Sequence, residues 1–168
     1  YEHCLLIGGE MLLLAGLAAT PEEAQQRLAR TVSDGSALAR FRDWVAAQGG
    51  DARVADDYAL LPRANVALPV AAPRTGYIAA LDARTVGETS VVLGAGRTRK
   101  EDPVDLGAGI VLGAKIGDRV EQGQTLFTVH AKSAADAADA AECVRAACAW
   151  ADAAGPGPPL VYDVLRGG

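Results

Sequence analysis

The chain has 168 residues, half of them apolar and 22% charged, with 16 Lys and Arg against 21 Asp and Glu for a net charge of −5. That length holds one ordinary domain or two small units with a sizeable core, in the composition of a soluble globular protein. Negative net charge without a basic block argues against nucleic acid or an anionic membrane as partner. Two histidines, His3 and His130, and three cysteines, Cys4, Cys143 and Cys148, lack metal-ligand spacing and leave almost no material for a zinc site.

An odd cysteine count without a signal peptide fits thiols kept reduced in a cytoplasm. The most apolar stretch, Leu5 to Ala19, is broken by Gly8, Gly9 and Glu10 and is shorter than the roughly 18 residues a bilayer span needs. It is expected to be a helix, apolar nearly all round and therefore buried on several sides. The chain starts at Tyr1, and its single methionine, Met11, lies inside this segment, which is the expectation for a piece of a longer protein.

Thr20-Pro21-Glu22-Glu23 is a helix start, with Thr20 as cap, Pro21 in the first turn and Glu23 at capping-box spacing. Ala24, Leu28 and Val32 follow on one face. Asp34-Gly35-Ser36 breaks that helix, a third carries Leu38, Phe41, Trp44 and Val45, and Gly49-Gly50 ends it. Residues 51–73, with scattered Asp51, Asp56, Asp57, Pro62, Pro69 and Pro73, read as an extended connector.

From Gly76 the pattern turns to strands, in "GYIAALDA" and "GIVLGAKIGDRVEQGQTLFTVHA", with Gly117-Asp118 and Gln122-Gly123 as turns. Ser133 to Ala154 is an alanine-rich helix with Ser133 and Asp136 at capping spacing and Ala137, Ala141, Val144 and Cys148 on one face. "GPGPP" stops it, and "LVYDVL" offers a last short strand before the glycine tail. The fold class is α+β: a helical N-terminal segment (1–50), a connector (51–73) and a compact mixed, barrel-sandwich-like C-terminal unit (74–168), together part of an α/β domain.

The run "GAGRTRKEDPVDLGAG", residues 94–109, sets Arg97, Arg99 and Lys100 against Glu101, Asp102 and Asp105 between paired glycines. It fails as a dinucleotide fingerprint because Arg99 stands where the third glycine belongs. It fails as a P-loop because Lys100 has neither the preceding glycine nor the following hydroxyl residue. Two readings remain, a solvated turn whose charges neutralise one another and a closing loop hinged at Gly94, Gly96, Gly107 and Gly109.

No catalytic constellation emerges elsewhere. His130 ends an apolar run and reads as a structural histidine. His3 and Cys4, adjacent on a helix, point about 100° apart and do not make a nucleophile–base pair. Asp56-Asp57 read as turn residues or caps. "GDRVEQGQTLFTV" has the cadence of the hairpin in biotinyl and lipoyl carriers, but neither Lys115 nor Lys132 has a carrier lysine's flanking sequence.

Taken in order, "CLLIGGEMLLLAG", "SDGSALARFRDWVAAQGGD", "LLPRA" and "GYIAALDARTVGETSVVLGAGRTRKEDPVDLGAGIVLGAKIGDRVEQGQTLFTVHA" resemble the C-terminal portion of thymidine and pyrimidine-nucleoside phosphorylases, from about Leu5 to Ala131. The resemblance implies a cytosolic nucleoside-salvage enzyme, a pentosyltransferase. It would cleave thymidine or uridine with inorganic phosphate to free base and (deoxy)ribose 1-phosphate, without a cofactor. It further implies a homodimer with a cleft that closes between a helical and an α/β domain, and a short helix over Val86 to Leu93.

The family's phosphate-binding and base-reading residues lie upstream of the resembling region. None can be carried onto this sequence, so no catalytic or substrate-binding residue is assigned and the chain alone is expected to be inactive. The candidate site is then the cleft-closing loop Gly94, Gly96, Arg97, Arg99, Lys100 and Glu101. Alternatives are a stand-alone carrier or interaction module, modified on Lys115 or Lys132, and a fragment of a related phosphorylase acting on nucleotides such as AMP.

Overall fold

The computed structural model describes residues 1–165, which fall into two compact units. One comprises Tyr1–Leu60 with the tail from Pro159; the other is Leu61–Pro158.

The first unit is helical: α1 (Glu2–Leu14), α2 (Pro21–Ser33) and α3 (Ser36–Ala47), then 3-10 turns at Ala52–Ala55 and Tyr58–Leu60. The α2 start forms as its sequence dictates. Thr20 Oγ1 accepts the Glu23 N–H at 3.2 Å, while the Glu23 carboxylate reaches back to the Ala19 N–H at 2.9 Å, one residue before the cap. Gly8 lets α1 approach α2, since a Cβ there would lie 2.9 Å from Leu28 Cδ1.

The expected burial of α1 does not occur within this unit. Among its described residues only Gly9 and Ala24 are buried, because α2 covers one side of α1 and leaves Ile7, Met11 and Leu14 exposed on the other. The segment "LVYDVL", expected as a strand, has no ladder partner and is irregular. Its Val161 and Val164 line a cavity with Leu6, Ile7 and Pro21 instead. The terminal glycines lie outside the described residues.

The second unit carries β1 (Val66–Ala71), β2 (Gly76–Leu81), α4 (Ala83–Ser90) running into a wide turn at Val91–Ala95, β3 (Gly109–Leu112), β4 (Arg119–Val120), β5 (Thr125–Ala131), α5 (Ala134–Ala146) and β6 (Cys148–Ala151). The α+β expectation holds, as does the short helix over Val86 to Leu93. The strands make two antiparallel three-stranded sheets, β1-β5-β3 and β4-β2-β6, and no barrel closes among the described residues.

Both sheets feed one core. Central strand β5 alternates, so Phe127 sits between Val70 and Leu112, and Val129 between Leu68 and Ile110. Val70, Phe127 and Val129, with Ile78 and Val120 of the other sheet and Ala137, Ala141 and Val144 of α5, belong to the buried cluster, and Leu68 and Ile110 pack against it. Full burial of a Phe or Val side chain contributes roughly 1.5–3 kcal/mol.

Two elements differ from the sequence reading. Residues 66–71 pair as a strand despite Pro69, which is tolerated because β1 is an edge strand. The alanine-rich helix stops at Ala146 rather than Ala154, and Cys148–Ala151 pairs with β2. An open sheet edge there overrides the local preference of alanine for helix. Cys148 is thus a strand residue and not the last position of the helical stripe. No helix among the described residues is long and apolar enough to cross a membrane.

Candidate functional site

The charged run leaves the wide turn at the end of α4 and returns into β3. Asp82 starts α4, accepting the Arg84 N–H at 3.1 Å and the Thr85 hydroxyl at 2.6 Å. The helix unwinds at Gly94, whose φ of 101° is a conformation L side chains avoid.

Asp105 ties the loop shut at its base. Its N–H donates to the Gly94 carbonyl at 2.8 Å, its Oδ1 accepts the Gly107 N–H at 3.0 Å, and its Oδ2 lies 3.9 Å from Lys132 Nζ. Within the closed segment, Asp102 Oδ2 accepts the Arg99 N–H at 2.8 Å, and the Asp102 N–H donates to the Arg99 carbonyl at 3.1 Å. The amides of Arg99, Asp102, Asp105, Gly107 and Ala108 are therefore all engaged by the segment's own acceptors. They do not form a ready phosphate nest of free N–H groups.

The side chains of the candidate residues behave differently from the backbone. Arg97, Arg99, Lys100 and Glu101 are exposed, and among the described residues none of their side chains makes an ion pair or hydrogen bond. The neutralisation expected of a solvated turn does not come from pairing within the run. Gly96 packs on Val91, where a Cβ would lie 2.8 Å from Val91 Cγ2, and Gly107 packs on the backbone of Arg63 and Ala64.

Beside the loop's return, a groove of about 590 Å³ opens over the face of the β1-β5-β3 sheet turned from the core. Arg63, Ala67, Gly107, Gly109, Val111 and His130 line it. The strand register sets this face, His130 standing opposite both Ala67 and Gly109. Arg63 makes no ion pair among the described residues. Sequence reasoning noted Arg63 only inside "LLPRA", because the groove's other wall, from Gly107 to Val111 and His130, lies more than forty residues away in the chain.

The remaining candidates hold structural posts. Asp56 pairs with Arg42, and Asp57 caps the Ala59 N–H at 2.9 Å, as expected of turn residues. Lys115 lies between β3 and β4, strands of different sheets, and Lys132 between β5 and α5, so neither sits at the tip of a two-stranded hairpin. Burial pushes the Cys148 thiol up, away from the reactive thiolate. No group of three or more metal-ligating side chains gathers among the described residues.

Comparison with known proteins places this site in context. Residues 77–151 match the family model described as the pyrimidine nucleoside phosphorylase C-terminal domain. Over 129 residues the chain is 43% identical to the pyrimidine-nucleoside phosphorylases of Geobacillus stearothermophilus and of Staphylococcus aureus strain USA300, covering 77% of this chain and 30% of each relative. The aligned part thus spans about three-tenths of the length of these curated relatives.

Proposed function

We propose that this chain, whose residues 77–151 match the pyrimidine nucleoside phosphorylase C-terminal domain, works as the C-terminal portion of a pyrimidine-nucleoside or thymidine phosphorylase. The observation that carries the reading is the 43% identity sustained over 129 residues to enzymes of that name, confined to 30% of their length. In the whole enzyme inorganic phosphate attacks the anomeric carbon of thymidine or uridine. The N-glycosidic bond breaks, the base departs with its electron pair, and (deoxy)ribose 1-phosphate remains. Phosphate is a co-substrate, and the reading needs no cofactor.

On this reading the two units supply scaffold and one wall of a cleft that closes on the substrates, and the run from Gly94 to Glu101 is its lid. A tied base with the side chains of Arg97, Arg99, Lys100 and Glu101 unpaired at the tip supports that role: no bond from these four side chains holds the tip in place. Closure of this kind supplies proximity to a nucleophile that needs positioning more than activation. The partners are the remainder of the phosphorylase chain and a second subunit, in the cytoplasm.

The test is phosphorolysis of thymidine and of uridine at saturating phosphate. The isolated chain should release no base, and the full-length parent should release it from at least one of the two nucleosides. A full-length parent inactive on both overturns the reading.

A further inference from the structure

The helical unit is built inside out on one side. A surface helix normally turns polar residues to solvent and apolar ones inward. In α1 the half-buried or buried positions against α2 include Leu5, Leu6, Gly9, Leu12 and Leu13, whereas beyond the first turn the exposed positions are Ile7, Met11 and Leu14. These three are 45%, 66% and 88% exposed. With the exposed Cys4 they recur at spacings of three, four and three, the seam that a second helix reads. No charged side chain interrupts the stripe.

The stripe borders a cavity at Ile7. Ile7 borders a space of about 310 Å³ shared with Leu6, Pro21 and Val164, apolar over most of its lining and large enough to take an arriving side chain. The unit also lacks a core of its own, with Gly9 and Ala24 its only buried described residues. So little burial does not offset the conformational entropy of ordering three helices.

Relatives extend well beyond this chain, which covers 30% of their length. We propose that the Cys4, Ile7, Met11 and Leu14 stripe of α1 is the docking seam for a helix from the part of the phosphorylase that these 168 residues do not include. The inference rests on the functional reading above and names the surface through which the chain joins the rest of the enzyme. Apolar contact along nearly three helical turns, with one side chain entering the cavity beside Ile7, is the recognition chemistry.

The experiment uses the full-length parent. A benzophenone amino acid at position 11 should crosslink, within a single chain, to a peptide outside these 168 residues. The variant M11E/L14E, which places charge on a seam harmless to load if it faces water, should lower Tm by roughly 5 °C or more. M11L/L14M, which keeps the seam apolar, should stay within about 2 °C of the parent. Crosslinking to α1 of a second chain, or a Tm unmoved by the two glutamates, overturns the proposal. A parent that shows the crosslink and the Tm loss yet releases no base from thymidine or uridine overturns the functional reading and leaves the seam standing.

Discussion

Asp105 donates its backbone N–H to the carbonyl of Gly94 across 2.8 Å, and this one bond joins the two ends of a charged segment ten residues long between them. The bond separates a fixed base from a free tip. Its geometry depends on Gly94 holding a φ of 101° and on the Asp105 carboxylate holding the Gly107 N–H from the other side.

Replacing Asp105 with alanine should therefore loosen the base without touching the core. The variant loses the acceptor for Gly107 and the neighbour of Lys132, worth about 1 kcal/mol for a hydrogen bond of this kind. Hydrogen exchange of the amides at Arg99, Asp102 and Asp105 should quicken by roughly fivefold, while amides of β5 keep their rates. Equal acceleration in β5 would mean that Asp105 supports the whole unit and not the loop alone.

Removing the tip tests the proposed lid directly. Deletion of Arg97 to Glu101 from the full-length parent should reduce kcat/KM by at least about tenfold, equivalent to roughly 1.4 kcal/mol of lost transition-state stabilisation. Its Tm should move by less than about 2 °C, because no side chain of the tip is paired or packed. Unchanged kcat and KM would reduce the segment to a solvated turn.

What could be read in the sequence was local. Thr20 with Glu23, Ser133 with Asp136, and the glycines after α3 announce helix ends because the bonds they make span three or four residues. The charged run and its failed glycine spacing were equally plain. β1 and β6 were not, since Pro69 and the alanines around Trp150 take their conformation from partners at Thr128 and Ile78. The Arg63 and His130 groove was invisible for the same reason: strand register assembles it, and no local pattern encodes register. The exposed side of α1 looks buried in the sequence because its apolar pattern specifies a surface that this chain does not cover.

Two glycine substitutions should act in opposite directions. A Cβ on Gly107 would lie 2.6 Å from the carbonyl carbon of Arg63 and 2.7 Å from the nitrogen of Ala64, backbone atoms that cannot step aside cheaply. Gly107→Ala should destabilise the chain by about 1–3 kcal/mol. Gly87 lies inside α4 with nothing within 4 Å of its missing Cβ, so Gly87→Ala should stabilise by about 0.5–1 kcal/mol. Urea unfolding of both variants against the parent checks the signs; a neutral Gly107→Ala would show that the β1 entry can shift.

Acid should weaken both units through their caps. The Thr85 hydroxyl and then the Arg84 N–H hold the Asp82 carboxyl below the usual range, and the Arg53 guanidinium holds Asp51 down to about 2. A folded pKa below the unfolded one gives stability that is fully present above the ordinary carboxylate pKa and is lost as pH falls through the folded value. The urea midpoint should thus be flat between pH 7 and pH 6 as far as these groups are concerned, and should drop from pH 5 down to about pH 2, with the Asp51 contribution disappearing last. Asp82→Asn cannot change charge with pH, so its midpoint should start lower at pH 6 and fall less on acidification. If the Asp82→Asn midpoint falls as steeply as the parent's, the cap of α4 carries none of the acid sensitivity, and other carboxylates must account for it.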